Sequence, residues 1–187
     1  GLSIGEMIFN STTDKVEYWD GTKWYGITYE VASSYNNVLY TGNGGTKAVT
    51  GVGFQPDLVW IKSRTTAYNH RLFDSVRTLN GVISSNRTEA EINNTLNDNF
   101  TSFDLDGFSL GATSSTNGAN FLGDSFVAWC FKAGGTAVAN TDGTLASQVS
   151  ANAADGFSIV TGSAPSNGYP NTFGHGLGQQ PDIIITK

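Results

Sequence analysis

Turn signals interrupt this chain at short intervals, and that spacing limits what it can fold into. Asp20-Gly21, Gly42-Asn-Gly-Gly45, Asp106-Gly107 and Gly134-Gly135 separate short apolar runs such as Met7-Ile-Phe9, Leu58-Val-Trp-Ile61 and Ser125-Phe-Val-Ala-Trp-Cys-Phe-Lys132. Runs of that kind between Gly and Asn turns read as β-strands, and no helical pattern separates them. Gly, Thr, Ser and Asn make up about two-fifths of the chain, enough to supply the turns and exposed faces of an all-β protein. Aromatic residues at 12% supply core volume, and charged residues at only 14% argue against disorder and against a coiled coil. The expected fold is therefore all-β, a β-sandwich or jelly roll. The formal net charge of -6 disfavours a nucleic-acid partner, and no apolar run approaches a membrane-spanning length.

Three segments follow from the pattern. Residues 1–30 read as a small β-hairpin module, with strands at Met7-Ile-Phe-Asn10, Val16-Glu-Tyr-Trp19 and Lys23-Trp-Tyr-Gly26. A piece this small is marginal as a monomer, so its aromatics are expected to pack on a partner chain or on the next domain, with Phe9, Tyr18, Trp19, Trp24 and Tyr25 the candidates for an interface between chains. Residues 37–154 read as the sandwich, with 133–154 as a loop or linker and a single helical turn within 89–97. Leu72, Phe73, Val76, Leu79, Val82 and Ile83 are core candidates. Residues 155–187 read as the start of a second, truncated repeat. Gly176-Leu-Gly-Gln-Gln-Pro-Asp-Ile-Ile-Ile-Thr-Lys187 echoes Gly51-Val-Gly-Phe-Gln-Pro-Asp-Leu-Val-Trp-Ile-Lys62, and Asp155-Gly-Phe-Ser-Ile159 echoes Asp106-Gly-Phe-Ser-Leu110. With no initiator Met and an end inside an apparent strand, the sequence reads as a segment of a longer polypeptide.

Reactive chemistry is sparse. Cys130, the only cysteine, lies in an apolar run and is expected to be a buried, unreactive thiol. The two histidines, His70 and His175, lie in different segments, and no nucleophile elbow is present, so no catalytic residues and no cofactor are expected. His175 reads as a turn residue bonded to backbone. Asp104 and Asp106 fall on one side of a strand and are the weak candidates for a hard cation, although Asp106-Gly107 is first a turn signal. Lys62, Arg64, His70, Arg71 and Arg77 form a basic cluster in a chain with only ten Lys and Arg. The cluster suits an acidic sugar or a subunit interface, or else structural ion pairs with Asp57 and Asp74. Tyr68 and Tyr169 lie in loops and are further candidates for binding contacts, whereas Trp60 and Trp129 lie inside apolar runs and read as core.

Gly53-Phe-Gln-Pro-Asp-Leu-Val-Trp-Ile-Lys62, His70-Arg-Leu-Phe-Asp74, Ser85-Asn86, Phe103-Asp-Leu-Asp-Gly-Phe-Ser-Leu-Gly111 and Val127-Ala-Trp-Cys-Phe-Lys-Ala-Gly134 form a connected series. The series is similar to a domain found, often in tandem, in tail-fibre and other virion proteins of marine and cyanobacterial phages. The opening, Gly5 to Trp24, resembles a hairpin module of phage fibres. The resemblance implies a concanavalin-like β-sandwich in a phage virion structural protein, most naturally a tail-fibre segment in host attachment. Its partners would be copies of itself as a homotrimer, other virion or tail proteins, and a host surface glycan. A carbohydrate-binding module of a bacterial surface protein and a capsid decoration protein are the alternatives, with a glycan-cleaving depolymerase further off.

Overall fold

The computed structural model describes every residue except 13–14, 28–32, 78, 80, 94–99, 114–117 and 166–169. Among the described residues all regular structure is β-strand, paired antiparallel throughout. The chain divides into two units, Gly1–Ala32 and Ser33–Lys187.

The first unit is a meander of β1 (Met7–Asn10), β2 (Lys15–Trp19) and β3 (Trp24–Ile27). The Asp20-Gly21 turn is set by the Asp20 carboxylate, which accepts the Lys23 N–H at 2.8 Å and the Thr22 N–H at 2.7 Å. Those bonds, Lys23 first, hold its pKa down at about 2. Register places Met7, Tyr18 and Tyr25 in one row and Phe9, Val16 and Ile27 in the next. Because side chains alternate between faces, these six residues share one face. All six are exposed, Met7 and Phe9 by more than 60%. Trp19 and Trp24 pair on the opposite face, 5.4 Å apart. The five residues expected to form one chain-packing surface are thus split, with Phe9, Tyr18 and Tyr25 on one side and the two tryptophans on the other.

The second unit contains β4 (Tyr35–Thr41), β5 (Lys47–Thr50), β6 (Leu58–Ser63), β7 (Arg71–Asp74), β8 (Gly81–Val82), β9 (Ile92–Asn93), β10 (Phe100–Asp104), β11 (Gly107–Leu110), β12 (Ser125–Phe131), β13 (Val138–Asn140), β14 (Ser147–Asn152) and β15 (Phe157–Gly162). Its body is a sandwich of a four-stranded sheet, order β4-β12-β6-β7, on a three-stranded sheet, order β10-β11-β5. Inward residues of both sheets form the core: Val59, Ile61, Phe73, Phe126, Ala128 and Cys130 from one, Val49, Phe100, Phe108 and Leu110 from the other. Aromatic contacts join the layers, with Phe73 stacked on Phe100 at 4.6 Å and Tyr40 edge-on to Phe108 at 6.1 Å. Gly107 needs to be glycine at the β10–β11 turn. Its φ is +148°, and a Cβ would lie 2.0 Å from the Val49 carbonyl oxygen.

Some expectations change. Residues 133–154 are not a loop, since they contain β13 and β14, which pair with β15 in a third sheet. Small side chains suffice there because Ser150 replaces aromatic packing with hydrogen bonds, accepting the Gly134 N–H at 3.0 Å and donating to the Gly135 carbonyl at 2.7 Å. Of the helical turn expected within 89–97, Ile92–Asn93 is strand, paired with Gly81–Val82, and 94–97 lie outside the described residues. Phe73 and Val82 are core, but Leu79 is exposed and Leu72 faces away from the core. The echo at Pro181–Lys187 forms no ladder among the described residues, and Ile183, Ile184 and Ile185 are exposed.

Candidate functional site

Strict alternation on the four-stranded sheet sends one set of side chains inward and the other outward. In β12, Phe126, Ala128 and Cys130 are fully buried, while Val127, Trp129 and Phe131 are only half-buried on the other face. In β6, Val59 and Ile61 are buried, while Leu58, Trp60 and Lys62 face outward. Trp60 and Trp129 are therefore not core, contrary to the reading from their apolar surroundings. A run apolar at every position is one whose two faces both carry apolar residues, and here only one face is covered.

The outward residues line up across strands. Trp129 lies opposite Trp60 on one side and Asn37 on the other, and Val127 lies between Lys62 and Leu39. The two indoles meet edge to face, 5.7 Å between centroids and 70° between planes. With Phe131 they line an open hollow of about 230 Å³. Leu39 beside it is 62% exposed. One end is closed by the third sheet, where Phe157 of β15 stacks on Phe131 at 5.1 Å, with Tyr35 at 4.9 Å on Phe131 as well.

The other end is polar. The Trp60 indole N–H donates to His70 Nδ1 at 2.8 Å. A neutral imidazole accepting there carries its proton on Nε2, so Nε2 is a hydrogen-bond donor. Burial, then the Lys62 charge, pushes the His70 pKa below its ordinary value, which favours that neutral form. The Lys62 ammonium donates to the Ser63 carbonyl at 2.8 Å and the Thr66 carbonyl at 3.4 Å. Arg64 follows one step past β6. Its N–H still bonds the Ser125 carbonyl at 2.7 Å, and its side chain is exposed.

The basic cluster thus separates. Lys62 and His70 lie at the polar end of the tryptophan hollow, with Arg64 exposed just past the end of β6. Arg71 is buried on the inward face and donates to Ser84 Oγ at 3.0 Å. Arg77 is held by Asp74 at 2.6 Å and by Glu91 at 3.2 Å. Asp57, the other carboxylate considered for ion pairing, instead accepts the Ser75 hydroxyl and the Ala133 and Gly135 N–H groups. Tyr68 packs its ring against Phe121, and Tyr169 lies outside the described residues. Leu39, Asn37 and the outward role of both tryptophans were missed from the sequence. The signal that finds them is the period of two, once β12 and β6 are known to be paired.

The remaining acids are structural. Asp106 accepts the Gly51 and Gly53 N–H groups at 3.0 and 2.6 Å, and those bonds hold its pKa below the usual carboxylate range. Asp104 accepts the Ser102 and Ser109 hydroxyls at 2.7 and 2.6 Å. Among the described residues no group of three His, Cys, Asp or Glu is placed to hold a metal ion. His175 accepts the Leu177 N–H at 3.2 Å, the backbone-bonded turn expected of it. Cys130 is fully buried, and burial pushes its thiol pKa up to about 12.

The arrangement offers aromatic faces and a few fixed donors, which is the chemistry of a sugar platform: apolar ring faces stack on indole, and hydroxyls take the flanking donors. Compared with known proteins, residues 31–187 match the family described as a domain of unknown function, DUF7483. No curated protein and no solved structure matches.

Proposed function

This chain belongs to the DUF7483 family, and we propose that it is a virion structural segment of a phage, a tail-fibre piece that attaches to a host-surface glycan. The observation that carries the attachment reading is the half-open tryptophan pair on the outer face of the four-stranded sheet. Two large aromatics held at 5.7 Å with donors fixed at one end resemble a binding surface more than a packing surface. The phage assignment is supported by the motif series between Gly53 and Gly134. Self-assembly is supported by the first unit, where Met7, Phe9, Val16, Tyr18, Tyr25 and Ile27 form a continuous uncovered apolar face on a sheet too small to be stable alone.

The test is a glycan array probed with the intact chain and with Trp129→Ala, with light scattering on the same samples. The reading expects selective signal for the wild type, its loss in the variant, and an oligomer in both. Signal unchanged by Trp129→Ala would remove the site, and a monomer would remove the assembly.

A further inference from the structure

We infer that the tryptophan hollow selects anionic sugars, with a uronic-acid carboxylate held at its polar end. The inference rests on the glycan reading above and adds to it the class of ligand. The chain as a whole carries a net charge of -6, so an acidic ligand would be repelled from most of its surface. The polar end of the hollow departs from that average. Lys62 lies on the same outward face as Trp60, two residues along β6, and the exposed Arg64 follows directly after the strand, its N–H on the Ser125 carbonyl. Residues two apart on a strand are separated by about 6.6 Å, so Lys62 stems from a point within about one sugar residue of Trp60, and Arg64 stems from two residues further along the chain.

The groups facing this end leave a positive surplus. Neither Lys62 nor Arg64 makes an ion pair among the described residues. Asp124, just before β12, accepts the Thr65 and Thr66 hydroxyls at 2.9 Å each as a carboxylate, so against its negative charge the two cations leave a surplus of one positive charge. His70 presents a neutral Nε2–H donor. Lys62 is fixed by two backbone carbonyls, so little entropy is lost when it meets an anion. Arg64 brings a planar fork that matches a carboxylate with two parallel bonds. A neutral hexose would fill the aromatic part and take only uncharged hydroxyl hydrogen bonds from these donors, without the charge-assisted pairing that a carboxylate gains.

Linkage-matched pairs of neutral and uronic-acid oligosaccharides, compared by calorimetry at low and high salt, test this. The wild type is expected to bind the charged member of each pair about tenfold more tightly at low salt, with the advantage shrinking as salt rises. Lys62→Gln with Arg64→Gln should abolish the preference by weakening the charged member far more than the neutral one, whereas Lys62→Arg should retain it. Trp129→Ala should weaken both members equally. Equal affinities in the wild type, or a preference that survives the double substitution, would overturn the anionic assignment while leaving the glycan site standing. Absence of binding to either member would overturn the glycan reading and this inference with it. Unchanged thermal melting of the double variant confirms that a lost preference is not lost folding.

Discussion

The two faces of the four-stranded sheet are made by the same strands and are almost equally apolar, yet they have different fates. On β12 the inward set is Phe126, Ala128 and Cys130, sealed against the second sheet. The outward set is Val127, Trp129 and Phe131, all partly exposed, with Phe131 capped by Phe157. An apolar side chain stabilises a fold in proportion to the area it removes from water. The inward face is where that area is lost completely. The outward face leaves part of it available, and the largest side chains, Trp60 and Trp129, lie there.

That contrast is sharpened most by paired truncations. Phe126→Ala should cost about 3–5 kcal/mol, because a fully buried ring leaves a cavity that close-packed neighbours cannot fill. Trp129→Ala removes a larger ring but should cost less, about 1–2 kcal/mol, since part of that ring already touches water. Denaturant unfolding of the two variants measures the difference. Equal losses would mean that the outer face is covered in solution and is not a free surface.

A smaller effect is expected with pH. The His70 pKa is lowered in the folded chain, so the unfolded chain takes up a proton first as the pH falls. Stability is therefore full above the ordinary value of 6.5 and declines as the pH drops from there toward the folded pKa. As the pH then passes through the folded pKa, a protonated Nδ1 can no longer accept from the Trp60 indole, so tryptophan fluorescence should shift. His70→Asn keeps an acceptor for the indole and removes the titration. A pH dependence identical in wild type and His70→Asn would break the link between the histidine and the tryptophan platform.

How much of this was readable from the chain alone depends on whether local signals were enough. Asp20-Gly21 and Asp106-Gly107 were read correctly as turns, because the Asp20 carboxylate accepts N–H groups two and three residues on and both glycines adopt positive φ, which are local facts. The Asp106 bonds to Gly51 and Gly53 belong instead to the fold. The all-β class followed from the same punctuation. Trp60 and Trp129 were misread because burial is a property of the neighbouring layer, and nothing in Leu58-Val-Trp-Ile61 states which face the other sheet covers. Strands β13 and β14 were read as loop because Ser150 stands where an aromatic would signal a strand, and its hydrogen bonds to Gly134 and Gly135 are visible only in the fold. Pro56-Asp57 and Pro181-Asp182 make the point within one chain. The first leads into β6, where Val59 pairs with Cys130 and Phe73, and its Asp57 ties down the Ala133 loop. The second leads into isoleucines that form no ladder among the described residues. The same motif becomes a strand only where partner strands lie on either side.

The central claim is that the outward tryptophan face is the binding surface. Amide and indole NMR shifts followed while an oligosaccharide identified on the array is titrated in would test it most directly. The account predicts changes at Leu39, Trp60, Lys62, His70, Val127 and Trp129, with β5, β10 and β11 on the opposite sheet left unmoved. Shifts concentrated on that opposite sheet, or on the first unit, with both indole signals unchanged, would contradict it.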